Sequence, residues 1–513
     1  MLHHDKELVA AVDLGSNSLR CLVAQVINTP SGMQLRPIDT LRETVRLAAG
    51  LTENKMLGND AYQRGLSAIG KFGERIRGFN PANVRAVATN TLRVAKNAPQ
   101  FVSDAEKVLG FPIEVIAGVE EARLIYIGAA HEVQASSGNR LVVDIGGGST
   151  EFIIGKGYEP KLMESLYIGC VSHSLRFFPK GNIDTHSFKE AELAARREMQ
   201  VISGAFLKNG WNQVIGSSGT ARALAELIAE NNFNGDHSGL SMGRVNGASG
   251  LITRDGLRSL KKHLLKYDNV NQVELAGLKE DRRSVWPGGL AIMLAAFDEL
   301  QIDCMEVTDA ALRMGVLYDL LGRSQHHDMR YVTVEQFMQR YSVDRDQANR
   351  VGKLATHFLS QLPQSNSENR EDNIALLEWA ANLHEIGLSI SHNGYHKHSA
   401  YIAGNADMPG FSKNDQARLA ALLLGHVGKL GKLANNVAFN DWRMLFCLRL
   451  AQVLSRGRND LNQPQVKVFE NNGSFSVEIP KSWANNHPLS EFSLQKEAAE
   501  WERVGRSYKI QLK

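Results

Sequence analysis

Cysteine is scarce. Cys21, Cys170, Cys304 and Cys447 are the four among 513 residues, and none stands at a zinc or redox spacing. That excludes a disulfide-stapled scaffold and predicts reduced, mostly buried thiols in a cytoplasmic protein. Long apolar runs are missing too. No stretch of about 18 apolar residues occurs, so no membrane-spanning helix is expected, which leaves peripheral membrane association open. The opening residues, Met1 to Leu8, carry two His, an Asp, a Lys and a Glu and have no apolar segment, so no secretory signal is expected. An excess of one charge is also absent: 58 Lys and Arg against 55 Asp and Glu leave a net charge of +3. So even a balance does not mark a nucleic-acid binder, and no specific nucleic acid is expected as partner.

Apolar residues make up 43% and charged residues 22%, the proportions of an ordinary globular protein. Cores stop growing near roughly 250–300 residues, so several domains are expected. Residues 8–13 and 19–27 read as strands joined by a Gly/Ser/Asn turn, and 34–40 as a third strand. Ala61, Leu66, Ile69, Phe72 and Ile76 repeat at helical spacing. Residues 84–88 and 113–116 are further strands, each followed by a helical pattern, which implies a mixed α/β sheet. The same grammar restarts near residue 140, with strands at 141–144 and 151–154 around a glycine turn. It is read as an internal duplication with diverged sequence. Residues 230–250, rich in Asn, Gly and Ser, read as a surface loop. Helical patterns dominate from about 308 to 455. Val466, Val468, Asn472-Gly473, Phe475, Val477 and Ile479 form a hairpin signature, followed by a helix at 494–504 and a strand at 508–512. The expected fold is multidomain α/β. Two duplicated α/β domains, 1–127 and 128–307, are followed by a helical domain, 308–450, and a small α+β domain, 451–513.

Two turns carry the chemistry. Asp13-Leu14-Gly15-Ser16-Asn17-Ser18 offers backbone N–H groups that an anion can approach without Cβ obstruction, plus hydroxyl and amide donors on Ser16, Asn17 and Ser18. Asp13 could hold a metal ion or its waters. An ordinary hairpin turn is the bland alternative. Asp144-Ile145-Gly146-Gly147-Gly148-Ser149-Thr150-Glu151 places three glycines between two apolar strands, a conformationally costly choice that a phosphate cradle would explain. Asp144 and Glu151 bracket that turn. A bulged hairpin is the alternative there.

Paired Asp-Gly hairpins in duplicated α/β domains resemble the actin, heat-shock chaperone and sugar-kinase superfamily, with its ribonuclease H-like domains and interdomain cleft. With Gly118-Val119-Glu120-Glu121-Ala122-Arg123, they resemble exopolyphosphatases and guanosine pentaphosphatases in particular. Thr89 to Arg93, Gly216 to Thr220, and the segment Asp309-Ala310-Ala311-Leu312-Arg313-Met314-Gly315-Val316 fit the same family. The resemblance spans essentially the whole chain. It implies that Glu121 orients or deprotonates the attacking water, that Glu151 assists it, and that Arg93 binds the terminal phosphate. Gly146, Gly147, Gly148 and Ser149 would bind phosphate, and Asp13 and Asp144 would serve Mg²⁺, with a monovalent cation such as K⁺ as a further expectation. Glu120 reads better as a first-turn residue that complements the helix dipole. A homodimer is expected on the same resemblance.

In the helical domain, Asn382-Leu383-His384-Glu385-Ile386 with His392, His396 and His398 resembles the HD phosphohydrolase fold. That fold's His-Asp pair is here His384-Glu385. The domain is therefore expected to be degenerate, serving binding or dimerisation, although His357 and His426 could complete a site. Lys397, Lys429 and Lys432 are candidates for gripping a polyanion. The leading expectation is processive exopolyphosphatase activity on inorganic polyphosphate. The alternatives are hydrolysis of guanosine 5'-triphosphate 3'-diphosphate (pppGpp) to ppGpp, or a catalytically silent alarmone-binding regulator. Gly148 and the segment Ser391 to Ser399 look more like the polyphosphate branch. A sugar kinase or ATPase shares the hairpins and would need a nucleoside pocket, for which Gly216 to Thr220 is a candidate.

Overall fold

The computed structural model describes residues 7–29, 32–133, 138–233, 250–308, 312–324, 328–363, 370–434, 439–458, 464–471 and 473–513. Most of the expected 230–250 loop, residues 1–6, Asp309 to Ala311 and Asn472 lie outside the described residues. The chain divides into two compact units, Met1–His327 and Asp328–Lys513.

The first unit contains two sheets of matching topology. In one, β1 (Leu8–Leu14), β2 (Ser18–Thr29) and β3 (Gly32–Thr44) form an antiparallel meander, and β4 (Val84–Ala88) and β5 (Ile113–Val115) continue it in parallel, giving the order β3-β2-β1-β4-β5. The other holds β6 (Arg140–Ile145), β7 (Thr150–Lys156), β8 (Glu159–Leu166), β9 (Gln213–Gly216), β10 (Leu251–Thr253) and β11 (Cys304–Val307), in the order β10-β11-β9-β6-β7-β8. Read from β8, the order β8-β7-β6-β9-β11 repeats the first sheet, with β6, β9 and β11 again parallel. The duplication read from the sequence is thus a duplication of topology.

The central strands read as continuous apolar runs because both of their faces are covered. Along β1, Ala10, Val12 and Leu14 enter one core, while Val9 and Ala11 enter another. Along β6, Leu141, Val143 and Ile145 face a third core, and Val142 joins the one that already holds Val9 and Ala11. This shared apolar layer contains the Gly118–Glu132 helix and the Leu312–Ser324 helix. The two helices approach so closely that a Cβ on Gly315 would strike the Leu124 carbonyl. The second compact unit therefore begins at Asp328, twenty residues beyond the boundary expected at 308.

In the second unit, helices from Met329–Arg340 to Trp442–Leu454 share one core with the sheet β12-β13-β14 (Lys467–Asn471, Ser474–Ile479, Tyr508–Leu512). Phe446 stacks on Phe475 at 4.1 Å and meets Trp501 edge-on at 5.4 Å, so the packing continues across the boundary expected at 450. All four cysteines are free, three of them buried and Cys304 exposed. Among the described residues, no helix is long and apolar enough to cross a membrane.

Candidate active site

Both Asp-Gly hairpins open onto one cavity of about 120 Å³ in the first unit. Asp13, Ser16, Asn17 and Ser18 line it from the β1–β2 turn, and Asp144, Gly146, Gly147, Gly148 and Ser149 from the β6–β7 turn. The turns are held from outside. Thr91 Oγ1 donates to Ser16 Oγ at 2.8 Å, the Gly146 N–H donates to the Ser149 carbonyl at 2.9 Å, and Ser217 Oγ donates to Asp144 Oδ2 at 2.7 Å. Ser217, Ser218, Gly219 and Thr220, from the candidate nucleoside pocket of the sequence, line the same cavity, and Ser217 also positions Asp144. Thr220 Oγ1 caps the Ile145 carbonyl at 2.9 Å.

The triple glycine has a further structural reason. A Cβ on Gly147 would meet Ser16 Cβ at 3.0 Å and the Asn17 nitrogen at 3.3 Å, and one on Gly148 would run into Asn90. The bare backbone thus lets one hairpin abut the other as well as leaving N–H groups open to an anion. A bulged turn alone would need no such clearance.

The strand registers set the electrostatics. Asp13 stands directly across from Arg20, and Asp144 directly across from Glu151. Directly opposed residues share a face, so the first hairpin pairs acid with base and the second pairs acid with acid. Burial pushes the Asp13 carboxyl up to about 6, against the pull of Arg313 and Arg20. Burial likewise pushes Asp144 up to about 6; the Ser217 hydrogen bond opposes this, and Glu121 and Asp13 reinforce it. Glu151, buried and accepting from Ser165 Oγ at 2.8 Å, is raised well above the ordinary range by burial and then by Glu121 and Asp144. Its environment favours the protonated form.

Glu121 lines the cavity from the first turn of the Gly118–Glu132 helix. Arg93 Nη1 donates to Glu121 Oε2 at 2.7 Å and to the Ile116 carbonyl at 3.1 Å, while its Nε and Nη2 are buried without a hydrogen-bond partner. Arg93 and Glu151 do not line the cavity. The structure brings Arg93 onto Glu121 and leaves Glu151 behind the wall. Glu120 stands in the first turn as expected, and is also deeply buried. It is 1% exposed, bonded to Arg123 at 2.8 Å, and part of a buried ion network with Arg85 and Asp319.

Sequence reasoning passed over four arginines: Arg20, Arg222, Arg282 and Arg313 all line the cavity. Arg20 was legible from the hairpin register as the partner of Asp13. Arg222 and Arg313 sit beside or inside motifs already singled out. Arg282 carries no local signal, because only the fold brings its segment to the cavity. Burial and then Arg313 lower Arg20 to about 9, and burial lowers Arg282 as well. Desolvated like charges of this kind are relieved by a polyanion.

Asp13 Oδ1 is buried with no hydrogen-bond partner among the described residues. An orphaned carboxylate oxygen beside a second cavity-lining carboxylate fits a hard cation. Among the described residues no three His, Cys, Asp or Glu side chains converge as a metal cage. Mg²⁺ needs none, since it is commonly held by one or two carboxylates together with waters and substrate phosphates.

In the second unit, His384 and His426 are brought together with ring centroids 5.5 Å apart. Their Nδ1 atoms are bonded to the Ala381 and Leu423 carbonyls at 2.6 and 2.7 Å, and burial lowers both imidazoles toward the neutral form. Glu385 is bound by Arg458. His357 stays outside this group, 2.9 Å from Gln361 on the surface.

A protein from Pseudoalteromonas translucida (strain TAC 125), named guanosine-5'-triphosphate,3'-diphosphate pyrophosphatase, is 36% identical over 509 residues and covers 98% of each chain. A protein of the same name from Pseudoalteromonas atlantica is 35% identical over 508 residues, covering 98% of this chain and 97% of that one. The crystal structure of the Aquifex aeolicus Ppx/GppA family member matches with a TM-score of 0.50 at 25% identity, covering 62% of this chain and 98% of that one. Residues 329–498 match the family's domain III model. Residues 25–324, which contain the triple-glycine hairpin, Arg93, Glu121, Arg222, Arg282 and Arg313, match the Ppx/GppA phosphatase family model, and the chain belongs to that family.

Proposed function

We propose that this protein removes the terminal phosphate of the 5'-triphosphate of pppGpp, giving ppGpp and inorganic phosphate. The observation that carries the hydrolytic reading is a carboxylate, Glu121, fixed by Arg93 at 2.7 Å on the wall of the cavity that both hairpins line. The choice of nucleotide over polyphosphate rests on the names of the two relatives aligned over 98% of this chain. It reverses the leading expectation from the sequence. Gly148, which had favoured polyphosphate, is accounted for by its close approach to Asn90.

The chemistry follows from positioning and charge. Phosphoanhydride hydrolysis asks little covalent work of a protein, so placement and neutralisation dominate. The backbone of Gly146, Gly147 and Gly148 and the donors of Ser16, Asn17, Ser18 and Ser149 hold phosphate oxygens. Arg20, Arg222, Arg282 and Arg313 balance their charge. Glu121 takes a proton from the water that attacks the terminal phosphorus; the bridging P–O bond breaks, and the electron pair stays on the departing diphosphate. Arg93 keeps the Glu121 carboxylate aimed, and Glu151, holding a proton, spares the site a further buried negative charge. Asp13 and Asp144 would hold Mg²⁺, which when bound supplies charge neutralisation at the phosphate oxygens.

Phosphate release from pppGpp and from long-chain polyphosphate, measured in parallel, tests the substrate. The expected result is a higher kcat/KM for pppGpp. Robust turnover of polyphosphate with pppGpp inert would restore the first reading.

A further inference from the structure

The second unit holds a cavity that the proposed hydrolysis does not use. Its volume is about 380 Å³, within the range of ordinary small-molecule sites and larger than the cavity at the hairpins. One wall is apolar, formed by Leu359, Leu362, Ile374, Met444 and Phe475. Most of the rest of the lining is charged or polar, with Arg370, Asp441, Arg443, Glu470 and Arg506 beside the start of the Trp442–Leu454 helix.

The charges there are unevenly matched. Asp441 is held by Arg418, with Nε and Nη2 at 3.0 and 2.7 Å from its two oxygens. Glu470 is held by Arg443 at 2.6 Å. Both lining carboxylates are therefore engaged by arginines. Arg370 lines the cavity too. Arg506 feels the Glu470 charge but is bonded to neither carboxylate. Its guanidinium lies on the Trp442 ring, 4.2 Å from the centroid, and among the described residues it makes no side-chain hydrogen bond or ion pair. Stacking fixes the guanidinium plane and leaves its N–H fork available for an anion. Because Asp441 is engaged by Arg418, the helix that follows has no side-chain cap, and its first residues, Trp442, Arg443 and Met444, also line the cavity.

We propose that this cavity binds a nucleoside phosphate. The phosphate meets Arg506, and the base lies against the Leu359, Ile374 and Phe475 wall. On the same lining, Asn373 Oδ1 already accepts from Arg418 Nη2 at 2.9 Å and Ser360 Oγ donates to the His357 carbonyl at 2.7 Å, so the Asn440 amide and the Ser360 oxygen as acceptor are the groups offered to the edge of a base. A bare phosphate would leave the apolar half unfilled, and an aliphatic chain would leave the Asn440 amide facing carbon. The site is independent of the chemistry at the hairpins.

The test is photolabelling of the full-length protein with 8-azido-GDP, followed by peptide mapping. Label is expected on peptides bearing Leu359, Ile374 or Met444, and excess GDP should remove it. Arg506→Glu with native circular dichroism should lower that labelling by at least about tenfold, the loss of one charge-assisted contact. Ile374→Trp, which fills the cavity and changes no charge, should abolish it. Labelling confined to peptides of residues 1–327, or second-unit labelling indifferent to both variants, overturns the proposal. Protection by inorganic phosphate equal to that by GDP would reduce the site to a simple anion contact and overturn it too.

Discussion

At the scale of single residues, burial raises Asp13, Asp144 and Glu151 and lowers Arg20 and Arg282, so the fold opposes the ordinary ionisation of these groups. Glu121→Gln keeps the shape and the contact with Arg93 but removes the base. Steady-state kinetics should show kcat reduced roughly 10²–10⁴-fold with little change in KM. Near-normal turnover would falsify the role given to Glu121. Asp13 illustrates the opposite balance. Its folded value, about 6, lies above the ordinary 3.8, so the fold prefers its protonated form. The stability this contributes is full below pH 3.8 and is lost as pH rises through about 6; one such group corresponds to about 3 kcal/mol. Asp13→Asn should therefore raise the unfolding midpoint of metal-free protein at pH 7.5 while abolishing hydrolysis. Activity of the native protein should rise as pH passes through about 6, because Asp13 and Asp144 must ionise to hold a cation. A flat pH–rate profile between 5 and 7, or an Asp13→Asn protein that remains active, would count against both roles.

Among elements, the Gly118–Glu132 helix decides most. It is buried nearly all round, and its first turn carries Glu121 toward the cavity and Glu120 away from it. Glu120 is tied to Arg123, Arg123 to Asp319 at 2.5 Å, and Asp319 to Arg85 on β4 at 2.6 Å. The network locks the helix to a strand and to the Leu312–Ser324 helix. Removing one partner of a buried ion set leaves the others uncompensated. Asp319→Ala is therefore expected to destabilise by about 3–5 kcal/mol in denaturant titration. It should also lower kcat, because the turn carrying Glu121 loses its anchor. A stable Asp319→Ala protein with native kcat would show the network to be dispensable. Gly315→Val tests the same contact sterically, since its side chain would be forced into the Leu124 carbonyl. It is expected to yield little folded protein.

For the whole molecule, the break in packing at Asp328 defines the useful truncation. A cut at 308, the boundary expected from the sequence, would remove the Leu312–Ser324 helix from the core it completes. Residues 1–327 should instead fold and release phosphate from pppGpp. The second unit offers a separate cationic patch. Lys397 and Lys429 both depress the Lys432 ammonium, after burial, and Lys432 lies 3.2 Å from His396. Charge reversal at Lys397 and Lys432 is expected to weaken long-polyphosphate binding at low salt and to flatten its salt dependence, while leaving pppGpp turnover unchanged. Counterion release makes that slope a count of contacts. Filter binding across a salt series measures it; an unaltered slope removes the patch from any polymer grip.

Much of this was written in the sequence because the signals are local. Glycine turns, strand alternation and the Glu120-Glu121 helix start depend on neighbours a few residues away, so β4 and β14 appear where the residue pattern puts them, and both hairpins and Glu121 were legible. The family resemblance extended that reading to the whole chain. What the sequence could not determine depends on which distant segments meet. That Arg282 joins Arg20, that Arg93 grips Glu121 rather than lining the cavity, that Glu120 is buried, and that the Leu312–Ser324 helix closes the first unit are all consequences of packing across tens to hundreds of residues. Local propensity is blind to such meetings. Burial, through desolvation, then decides which of those charges the fold keeps.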